Sequence, residues 1–169
     1  MGDIVIGKRS VNASNFKTPF RAKGEGSAPL EWLPMDLLAS SGSAGEGDSA
    51  KDAERIRYYL GSPELIAAAQ AVKHTYERGK VVEGTIASGN FWNNELDRIA
   101  WLHNQFGTST EEMETAAAAQ VAEAYGVPFV GIRVLSNNLT NGGHYDPTTA
   151  TDCQAFVQAM LLHYLAAEK

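Results

Sequence analysis

Lys80–Asn93 reads KVVEGTIASGNFWN, and its pattern changes partway along. Lys80–Ser88 is a run of apolar and β-branched residues of strand length, the signature of a buried strand. Gly89 breaks the run, and Trp92 stands at the end of the strand-loop segment. From Asn94 to Phe106 the apolar residues Leu96, Ile99, Leu102 and Phe106 recur at helical spacing. A strand, an aromatic at its carboxyl end and then a helix make the basic unit of a layered α/β domain.

Working outward, the same alternation continues. Asp3–Ile6 predicts a short strand, while Arg9 to Arg21 is mixed and polar with Phe16 and Phe20 as anchors. Ser62-Pro63-Glu64 predicts a helix start: an N-cap hydroxyl, a proline in the first turn and an acid at the positive end of the dipole. Leu65, Ile66, Ala69, Val72 and Tyr76 continue it until Gly79. Glu111 to Tyr125 predicts a third helix closed by Gly126, its Ala116–Ala119 run leaving little bulk between helix and sheet. Pro128–Leu135, PFVGIRVL, predicts a second long apolar strand, and Thr148–Ala167 a terminal helix with Phe156, Val157, Met160, Leu161 and Tyr164 inward. Three strands among helices predict an α/β fold with a largely parallel sheet, whose ligands sit outside the carboxyl ends of the strands. Residues 1–169 are read as a single domain with a flexible insertion around 22–52, because Gly, Ser, Ala and Pro dominate there and Ser40–Gly47 reads SSGSAGEG.

Bulk composition narrows the function. With 14 Lys and Arg against 20 Asp and Glu, the net charge is −6, which argues against nonspecific nucleic-acid binding and leaves neutral small molecules open. Cys153 is the only cysteine, so neither an internal disulfide nor a cysteine-rich zinc site can form. His74, His103, His144 and His163 have no metal-ligand spacing, and neither a metal nor a cofactor is expected. No stretch reaches the roughly 18 apolar residues of a membrane span. The cytoplasm is the expected compartment.

Three groups of residues carry chemistry, each with two readings at this point. Glu111-Glu112-Met113-Glu114 either caps a helix or offers carboxylates to a vicinal diol. Trp92 is either a core or hinge aromatic or a flat surface for a stacked base, with Gly89 allowing close backbone approach. Ser136-Asn137-Asn138 is either a polar turn or a donor–acceptor pair for the edge of a purine. Arg133, alone in an apolar run, requires an acidic partner or a bound anion.

In this order and spacing the segments resemble the purine nucleoside phosphorylase and nucleosidase superfamily, and most of all its methylthioadenosine/S-adenosylhomocysteine nucleosidase branch. The resemblance rests on Gly2-Asp3-Ile4-Val5-Ile6, Ser88-Gly89-Asn90, Glu112-Met113-Glu114 and Val127-Pro128-Phe129 running into Ile132-Arg133. It implies a three-layer αβα domain with a mixed, largely parallel sheet, a purine nucleoside as the bound partner, and a homodimer. It also implies that the amino-terminal part of the fold, with its water-activating carboxylate, is missing. By carry-over Trp92 stacks on the base, with Asn93 next to it among the substrate-binding residues; Met113 lies under the ribose, Glu114 with Glu112 beside it holds the ribose hydroxyls, and Ser136 and Asn137, the latter as the catalytic residue, meet the purine. The implied activity is cleavage of the N-glycosidic bond by hydrolysis. The alternatives are phosphorolysis and a non-catalytic nucleoside-binding or storage protein. Asn137 stands where the nucleosidases carry Asp. An amide can hydrogen-bond the purine N7 but cannot deliver a proton, which removes general-acid catalysis worth about 10²–10⁴-fold. The related 6-oxopurine phosphorylases also meet the base with an Asn, so a changed base preference is expected.

Overall fold

The computed structural model describes residues 1–38 and 55–167. The elements run β1 (Ile4–Asn12), β2 (Phe16–Lys17), β3 (Leu33–Pro34), β4 (Leu37–Leu38), β5 (Arg55–Ile56), β6 (Tyr58–Leu60), α1 (Pro63–Ala71), β7 (Val81–Ser88), α2 (Leu96–Phe106), β8 (Thr108–Glu112), α3 (Thr115–Ala124), β9 (Ile132–Val134) and α4 (Thr149–Ala167). The main sheet has five strands rather than three. Its parallel centre is β1–β7–β8, while β6 and β9 pair antiparallel with opposite halves of β1.

Both faces of β7 are covered by helices. Ala87 packs with Leu102 and Phe106 of α2, whereas the Ser88 hydroxyl accepts from the Ala116 amide of α3 at 2.7 Å. Successive strand residues point to opposite faces, so α2 and α3 lie on opposite sides of the sheet. Ile4 and Ile6 of β1 bury against Ala68 and Ala69 of α1 and Phe156 and Met160 of α4. Truncating either central aromatic, Phe106 or Phe156, to Ala would cost about 3–5 kcal/mol. No helix among the described residues is long and apolar enough to cross a membrane.

Several boundaries differ from expectation, each for a local reason. β1 runs on to Asn12, because the Arg9 guanidinium lies 4.0 Å from the Tyr58 ring centroid and donates to the Thr85 hydroxyl at 2.9 Å. That housing lets a polar residue sit in a central strand. The helix expected from Glu111 begins at Thr115, and the residues before it form β8, paired to β7 through Ala87–Glu111 and Ser88–Glu112. Gly107, at φ +67°, closes α2 with a bond to the His103 carbonyl and turns the chain directly into β8. Of Pro128–Leu135 only Ile132–Val134 is strand. At Gly131 the backbone comes close enough for its carbonyl to accept from the Gly7 amide at 2.7 Å. The first helix ends at Ala71, with a 3-10 turn at Lys73–Thr75. Its Ser62 hydroxyl bonds the Glu64 carboxylate instead of a backbone amide.

Phe16 is an anchor, meeting Trp32 and Trp101, but Phe20 is almost wholly exposed. Ser40–Gly47 lies outside the described residues. The described part of the 22–52 stretch is tied down: Arg98 and the Trp101 indole donate to the Pro29 and Leu30 carbonyls, both at 2.8 Å.

Candidate functional site

One cavity of about 1250 Å³ opens beside the carboxyl ends of β7 and β8 and reaches to the Ser136–Thr140 turn and α4. All seven residues singled out in the sequence, Trp92, Asn93, Glu112, Met113, Glu114, Ser136 and Asn137, line it. Typical small-ligand sites run from about 300 to 1,000 Å³, so the space exceeds the needs of one nucleoside. Apolar side chains of α2 and α4, among them Leu96, Leu161 and Leu165, form part of its lining.

Glu112 is the hub of one wall. Its carboxylate accepts from the Ser88 hydroxyl, the Thr115 hydroxyl and the Arg133 guanidinium. It also takes the Glu114 and Thr115 amides, at 3.0 Å and 2.9–3.1 Å. Those amides are free donors at the amino end of α3, so the capping reading of this carboxylate is realised by a residue that itself belongs to β8. Burial pushes the Glu112 pKa up. The Ser88, Glu114 and Thr115 hydrogen bonds outweigh burial and hold it below the usual carboxylate value. A carboxylate has about four acceptor sites, so Glu112 is committed to protein donors.

Glu114 differs. Its side chain is 70% exposed and carries one ion pair, to Arg133 at 3.1 Å. Between Glu112 and Glu114 it is therefore Glu114 that has acceptor capacity for a ligand. Arg133 finds the acidic partners its apolar surroundings demand, Glu112 and Glu114, and adds a bond to the Thr115 hydroxyl at 3.1 Å. Met113 is 41% exposed on the same wall.

Trp92 presents an indole that is 66% exposed, too open for a core residue. A side chain at Gly89 would run into the Phe91 ring, so this glycine makes room for Phe91 and not for a ligand. Asn93 reaches across to Glu111, its amide 3.2 and 3.5 Å from the two carboxylate oxygens. At the far end the Ser136 hydroxyl donates to the Asn137 side-chain oxygen at 3.3 Å, and among the described residues the Asn137 NH₂ meets no acceptor, so it can donate outward. Asn138 is used by the turn itself, accepting from the Thr140 amide and hydroxyl at 3.0 and 2.6 Å.

Two further wall residues, Arg133 and Glu111, lie outside the seven that the resemblance assigns to the ligand. Arg133 carried a signal, a lone cation in an apolar run. Glu111 was absorbed into the capping run, because the strand whose alternation separates it from Glu112 is set by its pairing with β7 and is hinted at locally by nothing more than the β-branched Thr108 and Thr110.

The family model of the phosphorylase superfamily matches residues 1–166. A 5'-methylthioadenosine/S-adenosylhomocysteine nucleosidase from Bacillus cereus (strain G9842) is 42% identical over 74 residues, covering 43% of this chain and 32% of that protein. The chain thus spans about a third of the length of that curated relative. Among solved structures, the corresponding nucleosidase from Helicobacter pylori with butyl-thio-DADMe-Immucillin-A matches with a TM-score of 0.65 and 21% identity, over 95% of this chain and 60% of that one. Futalosine hydrolase of Helicobacter pylori strain 26695 matches with a TM-score of 0.60 and 22% identity, over 94% and 58%. At such identities the two structures speak for the fold, a mixed α/β sheet covered by helices. The match over residues 1–166 goes further: this chain belongs to the phosphorylase superfamily.

Proposed function

We propose that this chain carries the base- and ribose-binding wall of a purine nucleosidase, which hydrolyses the N-glycosidic bond. The observation that carries the reading is the meeting of an exposed indole, an exposed carboxylate with acceptor capacity beyond its one ion pair, and an outward amide donor on one cavity: Trp92, Glu114 and Asn137. Trp92 stacks on the base, Glu114 accepts from the ribose diol above Met113, and the Asn137 NH₂ donates to N7. As the C1'–N9 bond breaks, its electron pair leaves with the purine and positive charge grows on the ribosyl ring. Glu114 stabilises that charge; water adds its oxygen to C1' and loses one proton to solvent, and the departing purine anion takes up one proton from solvent. The names of the nucleosidase relatives and of the futalosine hydrolase support this class of reaction.

Asn137 gives no proton, so the reading includes a base that leaves without an acid at N7 and a preference shifted from adenosine-type substrates to 6-oxopurines. A homodimer, its subunits meeting over the apolar rim of α4, belongs to the same reading.

The test is base release, followed by chromatography, from inosine, guanosine, adenosine and methylthioadenosine with and without phosphate. Phosphate-independent release, abolished in Glu114→Ala, is expected. Release only with phosphate makes the protein a phosphorylase. Nucleoside binding without release makes it a binding protein.

A further inference from the structure

Asn137 lies between two places where the chain bonds back to itself. On one side the Asp146 amide donates to the Ser136 carbonyl at 2.7 Å. On the other, Asn138 and Gly143 exchange backbone hydrogen bonds of 2.9 and 2.7 Å. Ser136 to Asp146 is therefore a loop with a closed neck, and Asn137 is the residue that leads from the neck to the inner bridge.

Asp146 fixes that neck. Its carbonyl accepts from the Thr149 hydroxyl at 2.8 Å. One carboxylate oxygen accepts from the Thr148 amide and hydroxyl at 3.0 and 2.6 Å. The other accepts from Nη2 of Arg78 at 2.5 Å. The same nitrogen donates to the Thr148 hydroxyl at 2.7 Å, while Nη1 donates at 2.5 Å to Asp152, in the first turn of α4. Arg78 comes from the stretch between the 3-10 turn and β7 and, among the described residues, is not one of those that line the cavity. Its stem occupies the space over Gly2, where a side chain would meet the Arg78 Cγ at 2.9 Å. Gly2 in turn donates to the carbonyl of Leu135, the residue before the neck, at 2.8 Å. One side chain thus braces both feet of the Asn137 loop and ties them to α4.

We propose that Arg78 is a positioning residue for Asn137, aiming its amide at the purine N7 through Asp146 and the Ser136 carbonyl. The proposal rests on the nucleosidase reading above, in which N7 accepts from Asn137. The fork of a guanidinium is what the arrangement uses, since it holds two carboxylates and a hydroxyl at once, whereas a Lys ammonium is a point charge. Partly exposed ion pairs add little to global stability, so the weight of this one lies in where it puts the loop.

The experiment is calorimetric titration of the full chain with 9-methylhypoxanthine and with its 7-deaza analogue, in which a C–H replaces N7. The unmodified chain is expected to bind the first about 3- to 10-fold more tightly, the range of one neutral hydrogen bond, and Asn137→Ala to erase the preference. Arg78→Met is expected to erase it too, and Arg78→Lys to leave a reduced one. The melting temperature is the check on folding. A merely structural role for Arg78 would weaken both probes alike and keep their ratio. An unreduced ratio in Arg78→Met therefore overturns the proposal and leaves the nucleosidase reading standing, because Asn137→Ala reports on the N7 contact separately. Should Arg78→Met fail to fold, Arg78→Lys decides: a reduced ratio supports the proposal and an unreduced one overturns it. If the unmodified chain does not distinguish the two probes, the proposal falls with the N7 contact, and the base-release assay decides the nucleosidase reading on its own.

Discussion

The two faces of β8 carry the same side chain on consecutive residues and use it in opposite ways. On the α3 face, Glu112 meets two amides, two hydroxyls and a guanidinium, and none of its oxygens is left for a ligand. On the α2 face, Glu111 has, among the described residues, one long amide contact and an arginine, Arg98, that offers its charge from among the rings of Phe16, Trp32 and Trp101. The supply of donors therefore decides what a carboxylate does. A helix amino terminus supplies many and makes Glu112 a structural post, whereas the aromatic housing of Arg98 supplies almost none and leaves Glu111 available.

The largest test of this contrast is stability. Glu112→Ala leaves two amides, the Ser88 hydroxyl and a partly exposed guanidinium without their acceptor, and is expected to cost about 3 kcal/mol. Glu111→Ala is expected to cost less than about 1 kcal/mol, since it removes one weak bond and a half-buried charge. Urea midpoints for the two variants measure the difference, and equal losses would break the contrast.

The contrast also has a sign in pH. The folded Glu112 pKa is depressed, so its contribution is present above the unfolded value of about 4.3 and is lost as pH falls through the folded value. The folded Glu111 pKa is raised, so its contribution is full below about 4.3 and disappears as pH rises through the folded value. Compared with the unmodified chain, Glu112→Gln should be penalised less as pH falls, and Glu111→Gln should gain relative stability as pH rises. Denaturation curves at a series of pH values would show the two variants moving in opposite directions.

Smaller effects sharpen the picture at the cavity. Trp92→Ala is expected to weaken nucleoside binding about 10-fold, the range of a single base–aromatic stack. It should leave the melting temperature unchanged, because the indole is mostly exposed. Least of all, Glu114→Ala should move stability by no more than about 0.5 kcal/mol, as expected for an exposed ion pair. A loss as large as that of Glu112→Ala would mean that the two carboxylates share one structural role.

How much was legible in the sequence follows the range of the interactions involved. Val81–Ser88 and the helix after it declare themselves through local periodicity. So does the need of Arg133 for an acid, because a lone cation among apolar residues has few alternatives. β8 does not declare itself in this way. Ser109, Thr110 and Glu111 are polar, and what makes them a strand is the ladder to β7, a pairing with residues more than twenty positions earlier. Reading Glu111–Glu114 as one helical turn put both carboxylates in the same category. Only the pleat separates them. Arg9 is a similar case, since its place inside β1 depends on Tyr58 and Thr85, far away in sequence.

The pleat at the end of β8 also constrains how such a chain can vary over generations. Changing either carboxylate to another residue alters one face and leaves the other intact, so the two roles can drift independently. One residue inserted between Glu111 and Glu112 would turn both toward the same face, costing α3 its acceptor or setting two negative charges side by side. At this strand end a change of identity is a small step and a change of length is a large one. The spacing of β8, more than the identity of its residues, is what a lineage would have to keep.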